Sequence, residues 1–235
     1  MHGPKADSNN KGSENIVLVL GGSVFIPGGT SKSAAFPFAG SALEWARSIE
    51  RRAKIEMLRA NLCADLKRQY ELEERTIEPS ILRLATRLLH PRFLPLVICR
   101  LSRAAFESGI PLFPQLLTYM NVVLFGLEIT PRCEIGPGLF LPHTSGTVIG
   151  ASRIGKNATI YQNVTVGSKI LDMGFDPAKR PEIGDCVTLG AGCKVLGGIQ
   201  IGNDTVVGAN SVVLNTIKTK SVAVGVPARI LGPRD

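Results

Sequence analysis

The chain has 235 residues, 44% of them hydrophobic and 6% aromatic, with a formal net charge of +8. That length can bury a sizeable core in one or two domains, and no stretch is apolar for long enough to read as a membrane-spanning helix. The positive charge suits an anionic ligand. Nucleic acid is not expected, because neither an aromatic–basic RNA-binding pattern nor a paired-cysteine zinc module accompanies the charge.

Five cysteines, Cys63, Cys99, Cys133, Cys186 and Cys193, are odd in number and widely spaced. They argue against a disulfide framework and for a reducing, cytoplasmic setting. The three in the second half of the chain read as small apolar fillers.

Residues 1–40 are expected to form a poorly ordered extension. A signal peptide is disfavoured because Asp7 and Glu14 offset Lys5 and Lys11, and Gly21-Gly22 interrupts the apolar run that begins at Ile16. From Ser41 the pattern turns helical. Ser41 and Glu44 form a capping-box signature, and Ile55, Leu58, Leu62, Leu66 and Tyr70 fall on one face. Trp45 is expected to pack on a neighbouring element. Glu78-Pro79 ends this helix, since the residue before proline is pushed out of the helical region. Two or three more helices are predicted, over 80–89, 93–108 and 113–125, with Pro95 and Pro114 in the opening turns of the last two. Their arginines, Arg83, Arg87, Arg100 and Arg103, would allow peripheral contact with an anionic membrane. Packing on the following domain and on partner subunits is the favoured reading. Residues 41–127 thus form a helical N-terminal region.

Within residues 128–232, read as one domain, the stretch from Ile129 to Val213 counts in sixes. Ile129, Ile135 and Leu141 are followed, after one extra residue, by Val148, Ile154, Ile160 and Val166. After a non-repeating interval, Ile183, Leu189, Val195, Ile201, Val207 and Val213 keep the same step. A six-residue period fits neither one amphipathic helix nor one long strand. It fits a short strand and turn per unit, with three units closing a triangular coil and the aliphatics stacking in one buried column. Glycines after many of these aliphatics are expected to supply turn dihedrals forbidden to a side chain. The fold class is therefore α+β, a helical region followed by a parallel β-helix of hexapeptide repeats. A β-sandwich with chance spacing is the alternative, and it does not produce such a register.

Three features resemble the serine acetyltransferase family. They are the hexapeptide run, the segment from Gly138 to Gly150 around Leu141-Pro142-His143, and the ending Gly225-Val226-Pro227-Ala228-Arg229. The resemblance covers residues 90–232 and implies a left-handed β-helix acyltransferase that uses acetyl-CoA and no metal. It further implies homotrimers with each site between two subunits, and the helices can pair trimers into hexamers.

Hydroxyl acetylation needs a base for the acceptor's proton, a group to orient that base, and donors for the tetrahedral oxyanion. Of the three histidines, His2 lies in the extension and His90 precedes a proline at a helix boundary, where capping is expected. His143 interrupts the repeat where the extra residue breaks the count, so its side chain can point out of the coil. It stands at the family's catalytic histidine. Glu128 stands where the family has an aspartate and is expected to orient His143; Glu134 is the fallback. The resemblance places the CoA groove at Gly167 and Ser168, at Gly190-Ala191 and at Ala209, with Lys218, Lys220 and Arg229 as candidates for its phosphates.

Acceptor recognition departs from the family. Pro142 replaces the usual aspartate before the histidine, and Lys179-Arg180 replace an Arg-His pair. Lys179, Arg180 and Pro142 are the expected acceptor contacts. These departures favour a sugar or polysaccharide hydroxyl over L-serine, the alternative acceptor. Two further readings are weaker. A zinc enzyme on this fold needs several histidines, and the repeat has only His143. A silent assembly protein would not need the histidine together with the CoA-type turns.

Overall fold

The computed structural model describes residues 18–20, 23–25, 39–75, 78–87 and 90–234. Most of the expected extension therefore lies outside the described residues. The chain divides into two compact units, Met1–Ala53 and Lys54–Asp235. In the first, Leu18–Leu20 pairs antiparallel with Ser23–Phe25, and the long helix α1 (Ala39–Leu72) begins. Because α1 starts at Ala39, Ser41 lies inside its first turn and the capping box does not mark the start. Trp45 is 40% exposed.

The second unit holds the rest of α1, then α2 (Ile81–Arg87), α3 (Leu94–Glu107) and α4 (Phe113–Phe125). Leu62, Leu66 and Tyr70 of α1 bury against Phe93 and Val97, with Leu58 and Leu84 at the margin. Ile55, expected on the same face, is 60% exposed, because the packing partners reach only the later turns. Pro95 and Pro114 sit in the opening turns of α3 and α4, as their missing N–H allows. His90 caps: its Nδ1 accepts the Arg92 N–H at 3.3 Å, and its carbonyl accepts from Phe93 and Leu94.

From Leu127 the chain winds into a left-handed parallel β-helix with three faces. Face 1 stacks Leu127–Ile129, Thr147–Ile149, Thr165–Gly167, Lys194–Leu196 and Val212–Val213. Face 2 stacks Glu134–Ile135, Arg153–Ile154, Glu182–Ile183 and Gln200–Ile201. Face 3 stacks Thr159–Ile160, Thr188–Leu189, Val206–Val207 and Ser221–Gly225 in parallel, closed by the antiparallel Ala228–Pro233.

Twelve of the thirteen counted aliphatics point inward. Val148 does not: it is 40% exposed, and Thr147 and Ile149 are buried on either side of it. The register shows why. Ile129 pairs with Ile149 and Ile149 with Val166, so these coils take 20 and 17 residues where the regular coil from Ile183 to Ile201 takes 18. The corner holding His143 gains two residues and the next stretch loses one, which counts along the chain as a single extra residue. A second departure is larger: Val166 pairs with Val195, 29 residues on.

The repeat glycines also act differently from expectation. At Gly190 and Gly184 the backbone has no positive φ, but a Cβ would stand 2.7 Å from the Ala209 nitrogen or 2.8 Å from the Asn203 nitrogen of the next coil. Close approach of stacked backbones, more than turn dihedrals, demands glycine there. Left-handed corners fall instead mostly to Asn157, Asn163, Cys186, Asp204 and Asn210.

The helices are clamped to the first coil by a buried ion pair. Arg100 of α3 donates from Nε and Nη2 to the Asp65 carboxylate of α1, both at 2.9 Å, and to the carbonyls of Ile135 and Gly136 at 2.6 Å. Asp65 also accepts the Gly138 and Leu139 N–H groups at 2.8 and 2.9 Å. Burial pushes the Asp65 carboxyl up from its usual range, and Arg100 with the two amides opposes that. Leu96 and Cys99 of α3 share one core with the coils, so helices and β-helix form a single unit from Lys54 onward. Burial pushes the thiols of Cys99, Cys133 and Cys193 up to about 12, which fits inert fillers.

Candidate active site

The three corners of the coil sort the expected residues. Between faces 3 and 1, His143 stands on the lengthened corner of the first coil. Leu141 is buried one step before Pro142, while His143 itself is exposed. The backbone around it is fixed by hydrogen bonds. Thr144 Oγ1 donates to the Phe125 carbonyl at 2.9 Å, the Thr147 N–H to Thr144, and the Asn163 N–H to Ser145. A hollow of about 540 Å³ opens here between Pro142, His143, Arg92 and the end of α4 at Leu124 and Phe125.

The same corner continues upward, coil by coil. The Gly192 N–H donates to Gln162, and the Asn210 N–H donates to Ala191. Gly190, Ala191 and Ala209 therefore lie on the column that His143 begins, and small residues leave its backbone approachable.

Face 1 carries Glu128. Its neighbours Leu127 and Ile129 are buried, and Glu128 itself is exposed, in register with Val148. Glu128 opens into a second cavity of about 380 Å³, shared with Thr130, Arg132, Ser168, Phe175 and Arg180. His143 and Glu128 thus line different hollows, and among the described residues no hydrogen bond joins them. They are nonetheless close along the fold. A Cβ at Gly126, two residues before Glu128, would lie 3.3 Å from the nitrogen of Gly146 on the His143 corner.

The far wall of the second cavity is the long corner between faces 1 and 2, which carries Gly167 through Pro181. Arg180 binds this loop together. Its Nε meets the Asp172 carboxylate at 3.0 Å, Nη2 meets the Asp172 carbonyl, Nη1 meets the Gly150 carbonyl at 3.1 Å, and the guanidinium stacks on Phe175 at 4.1 Å. Partial desolvation works against it, but the Asp176 N–H and Arg180 hold the Asp172 carboxyl below the usual carboxylate range. Ser168 Oγ contacts the Ile170 backbone at 2.6 Å, and open space stands where a Cβ at Gly167 would point. Lys179 pairs with Asp176 at 3.3 Å and does not line the cavity.

Lys218 and Lys220 follow Ile217, which bridges to Ile201 of face 2, so they stand at the corner between faces 2 and 3. That corner is opposite face 1, and the structure does not bring these lysines to the His143 column. Arg229 lies exposed in the closing strand. Three residues that the sequence reading did not assign, Arg132, Asp172 and Phe175, build the cavity wall. The available signal was Arg132 itself, a cation four residues past Glu128 in the first corner. Among the described residues no three His, Cys, Asp or Glu side chains are grouped to hold a metal ion, and no helix is long and apolar enough to cross a membrane.

Comparison with known proteins fits this geometry. Residues 180–215 match the family model "Bacterial transferase hexapeptide (six repeats)". A serine acetyltransferase of Synechococcus elongatus is 39% identical over 146 residues, 61% of this chain, and the match spans 58% of that relative. One from Helicobacter pylori strain J99 is 39% identical over 145 residues, covering 61% of this chain and 83% of the relative. Among solved structures, Neisseria gonorrhoeae serine acetyltransferase in complex with serine superposes with a TM-score of 0.63 at 29% identity, over 74% of this chain and 69% of that one. A serine acetyltransferase in complex with CoA gives 0.62 at 27% identity, over 78% and 76%. These four relatives are named for serine, the alternative acceptor, and not for the sugar hydroxyl that the departures at Pro142 and Lys179-Arg180 suggested.

Proposed function

The chain belongs to the serine acetyltransferase family of hexapeptide-repeat acyltransferases, and on that premise we propose that it transfers acetyl from acetyl-CoA to the hydroxyl of L-serine. The observation that carries this reading is His143, exposed on a hydrogen-bonded corner at the foot of a column of small residues. His143 takes the hydroxyl proton as the acceptor oxygen attacks the thioester carbonyl. The tetrahedral intermediate then collapses, the C–S bond breaks, and the CoA thiolate leaves and is protonated. No acetyl-enzyme is needed. Glu128, on the strand packed beside the His143 corner, is assigned to orient the ring. Gly190, Ala191 and Ala209 offer the backbone along which an extended pantetheine chain would run.

We assign the protein to trimers whose sites lie between subunits. Support comes from α4, which bears no charge and leaves Leu116, Tyr119, Val123 and Leu124 between 52% and 67% exposed. An apolar face of that kind is commonly covered in an assembly. Light scattering at micromolar concentration should give three or six copies, and a monomer would contradict this.

The deciding experiment measures acetyl-CoA consumption over a panel of L-serine and neutral sugars. Turnover with serine and none with sugars is the expected result; the reverse would overturn the acceptor assignment.

A further inference from the structure

From the Glu128 cavity we infer that Arg132 reads an anionic group on the acceptor, and that Phe175 and Arg180 hold it in place to do so. The inference rests on the acetyl-transfer reading and adds to it the residue that selects acceptors bearing a carboxylate.

The cavity has two guanidinium groups, and only one is committed. Arg180 is spent on the Asp172 carboxylate and on two backbone carbonyls, with its side chain only 13% exposed. Arg132 is exposed and, among the described residues, forms no ion pair; its Nη1 donates to the Gly174 carbonyl at 2.7 Å. An arginine carries five N–H donors in a fork that matches a carboxylate, so one backbone contact leaves most of that capacity for a ligand.

Phe175 explains the posture of Arg132. Its ring centroid lies 4.1 Å from the Arg180 guanidinium and 5.8 Å from that of Arg132. Two like charges approach one aromatic ring, and Asp172 neutralises the nearer one. The aromatic face then restrains the farther one while leaving its charge uncompensated. That arrangement orders a long, flexible cation ahead of binding, which reduces the entropy lost when ligand arrives.

The spacing suits a small acceptor. Glu128 and Arg132 flank a single corner, with Ile129 buried between them, so both side chains are delivered to the same cavity. A short molecule held in this cavity with its hydroxyl end on the Glu128 side therefore leaves its other end facing Arg132. A neutral sugar would leave that charge unanswered, whereas a carboxylate would pair with it bidentately. This also accounts for the loss of Lys179 from the site: the cation sits in the first corner instead of in the loop.

The test compares wild type, Arg132→Gln and Arg132→Lys on matched acceptors. These are L-serine against L-serinamide, and a uronic acid against its neutral sugar. Wild type should prefer the acid of the pair it uses. Arg132→Gln should lower kcat/KM for the acid by about ten- to a hundredfold, the range for losing a charge-assisted hydrogen bond, and leave the neutral analogue and the acetyl-CoA KM nearly unchanged. Arg132→Lys should recover part of the loss. Equal losses on acid and neutral acceptors would reduce Arg132 to a loop brace, and a raised acetyl-CoA KM would assign it to the cofactor phosphates; either overturns the proposal. Use of the uronic acid with no use of serine would sink the serine reading and leave Arg132 standing. Preference for a neutral acceptor in wild type would remove both.

Discussion

The corner that carries His143 exceeds the regular 18-residue coil by two residues, whereas the corner ahead of Pro181 exceeds it by eleven, and the two are stabilised differently. The short insertion is held by backbone bonds at Thr144, Ser145 and Thr147 and by the Thr144 hydroxyl on the Phe125 carbonyl. Its side chain is therefore free to stand in solvent. The long insertion has too few backbone contacts to the coils and is held by side chains, chiefly Arg180 on Asp172, Gly150 and Phe175. A regular scaffold can thus present a reacting group by a small slip. It needs a separately cross-linked loop to shape a pocket.

The largest effect should come from the short corner. His143→Ala should lower kcat by about two to four orders of magnitude, the usual contribution of a positioned base. Because the ring is exposed and outside the core, the melting temperature and CoA binding should hold. Retention of more than about a tenth of wild-type kcat would remove His143 from the role of base.

A smaller and different effect is expected from the long corner. Arg180→Ala removes the loop's central cross-link, so acceptor kcat/KM should fall by about ten- to a hundredfold through misplacement of the cavity wall. The loop should also be cut sooner by protease. Arg180, expected as an acceptor contact, thus has a structural role in the loop through the contacts it makes to Asp172 and Gly150. The brace has a defined pH window. Asp172 is held below its ordinary value, so its contribution is present above the unfolded carboxylate pKa of about 4 and is lost only as pH falls through the lower folded value. Protease resistance of the loop should therefore be flat from pH 8 to 5. A decline within that range would mean that some group other than Asp172 holds the loop.

Much of this fold is legible from the residues. The six-step aliphatics identify the coils, and Pro95 and Pro114 place the starts of α3 and α4, whereas α1 ends at Leu72, ahead of Glu78-Pro79. The His143 corner announces itself by breaking the count. The corner position of Lys218 and Lys220 was also readable, since they follow a face 2 aliphatic while His143 follows a face 3 one. What the sequence could not supply is pairing across distance. Asp65 and Arg100 are 35 residues apart on separate helices, and each is indistinguishable from a solvated helical charge until the first coil is docked between them. The Arg132–Phe175–Arg180 stack likewise joins segments more than 40 residues apart, and no local period marks it.

The smallest expected effect tests the register of the short corner. Thr147, Val148 and Ile149 are all good strand formers, so composition does not reveal which of them faces the column. Counting in sixes selects Val148, but pairing to Ile129 and Val166 selects Ile149, which is 1% exposed against 40% for Val148. Val148→Ala should therefore change stability by no more than about 0.5 kcal/mol, as for an ordinary surface site. Ile149→Ala, used as the reference, should cost about 2–5 kcal/mol by opening a cavity between stacked coils. Chemical denaturation with an unchanged m-value would report both. Should Val148→Ala prove the costly change, the coil would take one extra residue instead of two. The His143 side chain would then be turned toward a different face, and Glu128 could not be the carboxylate beside it.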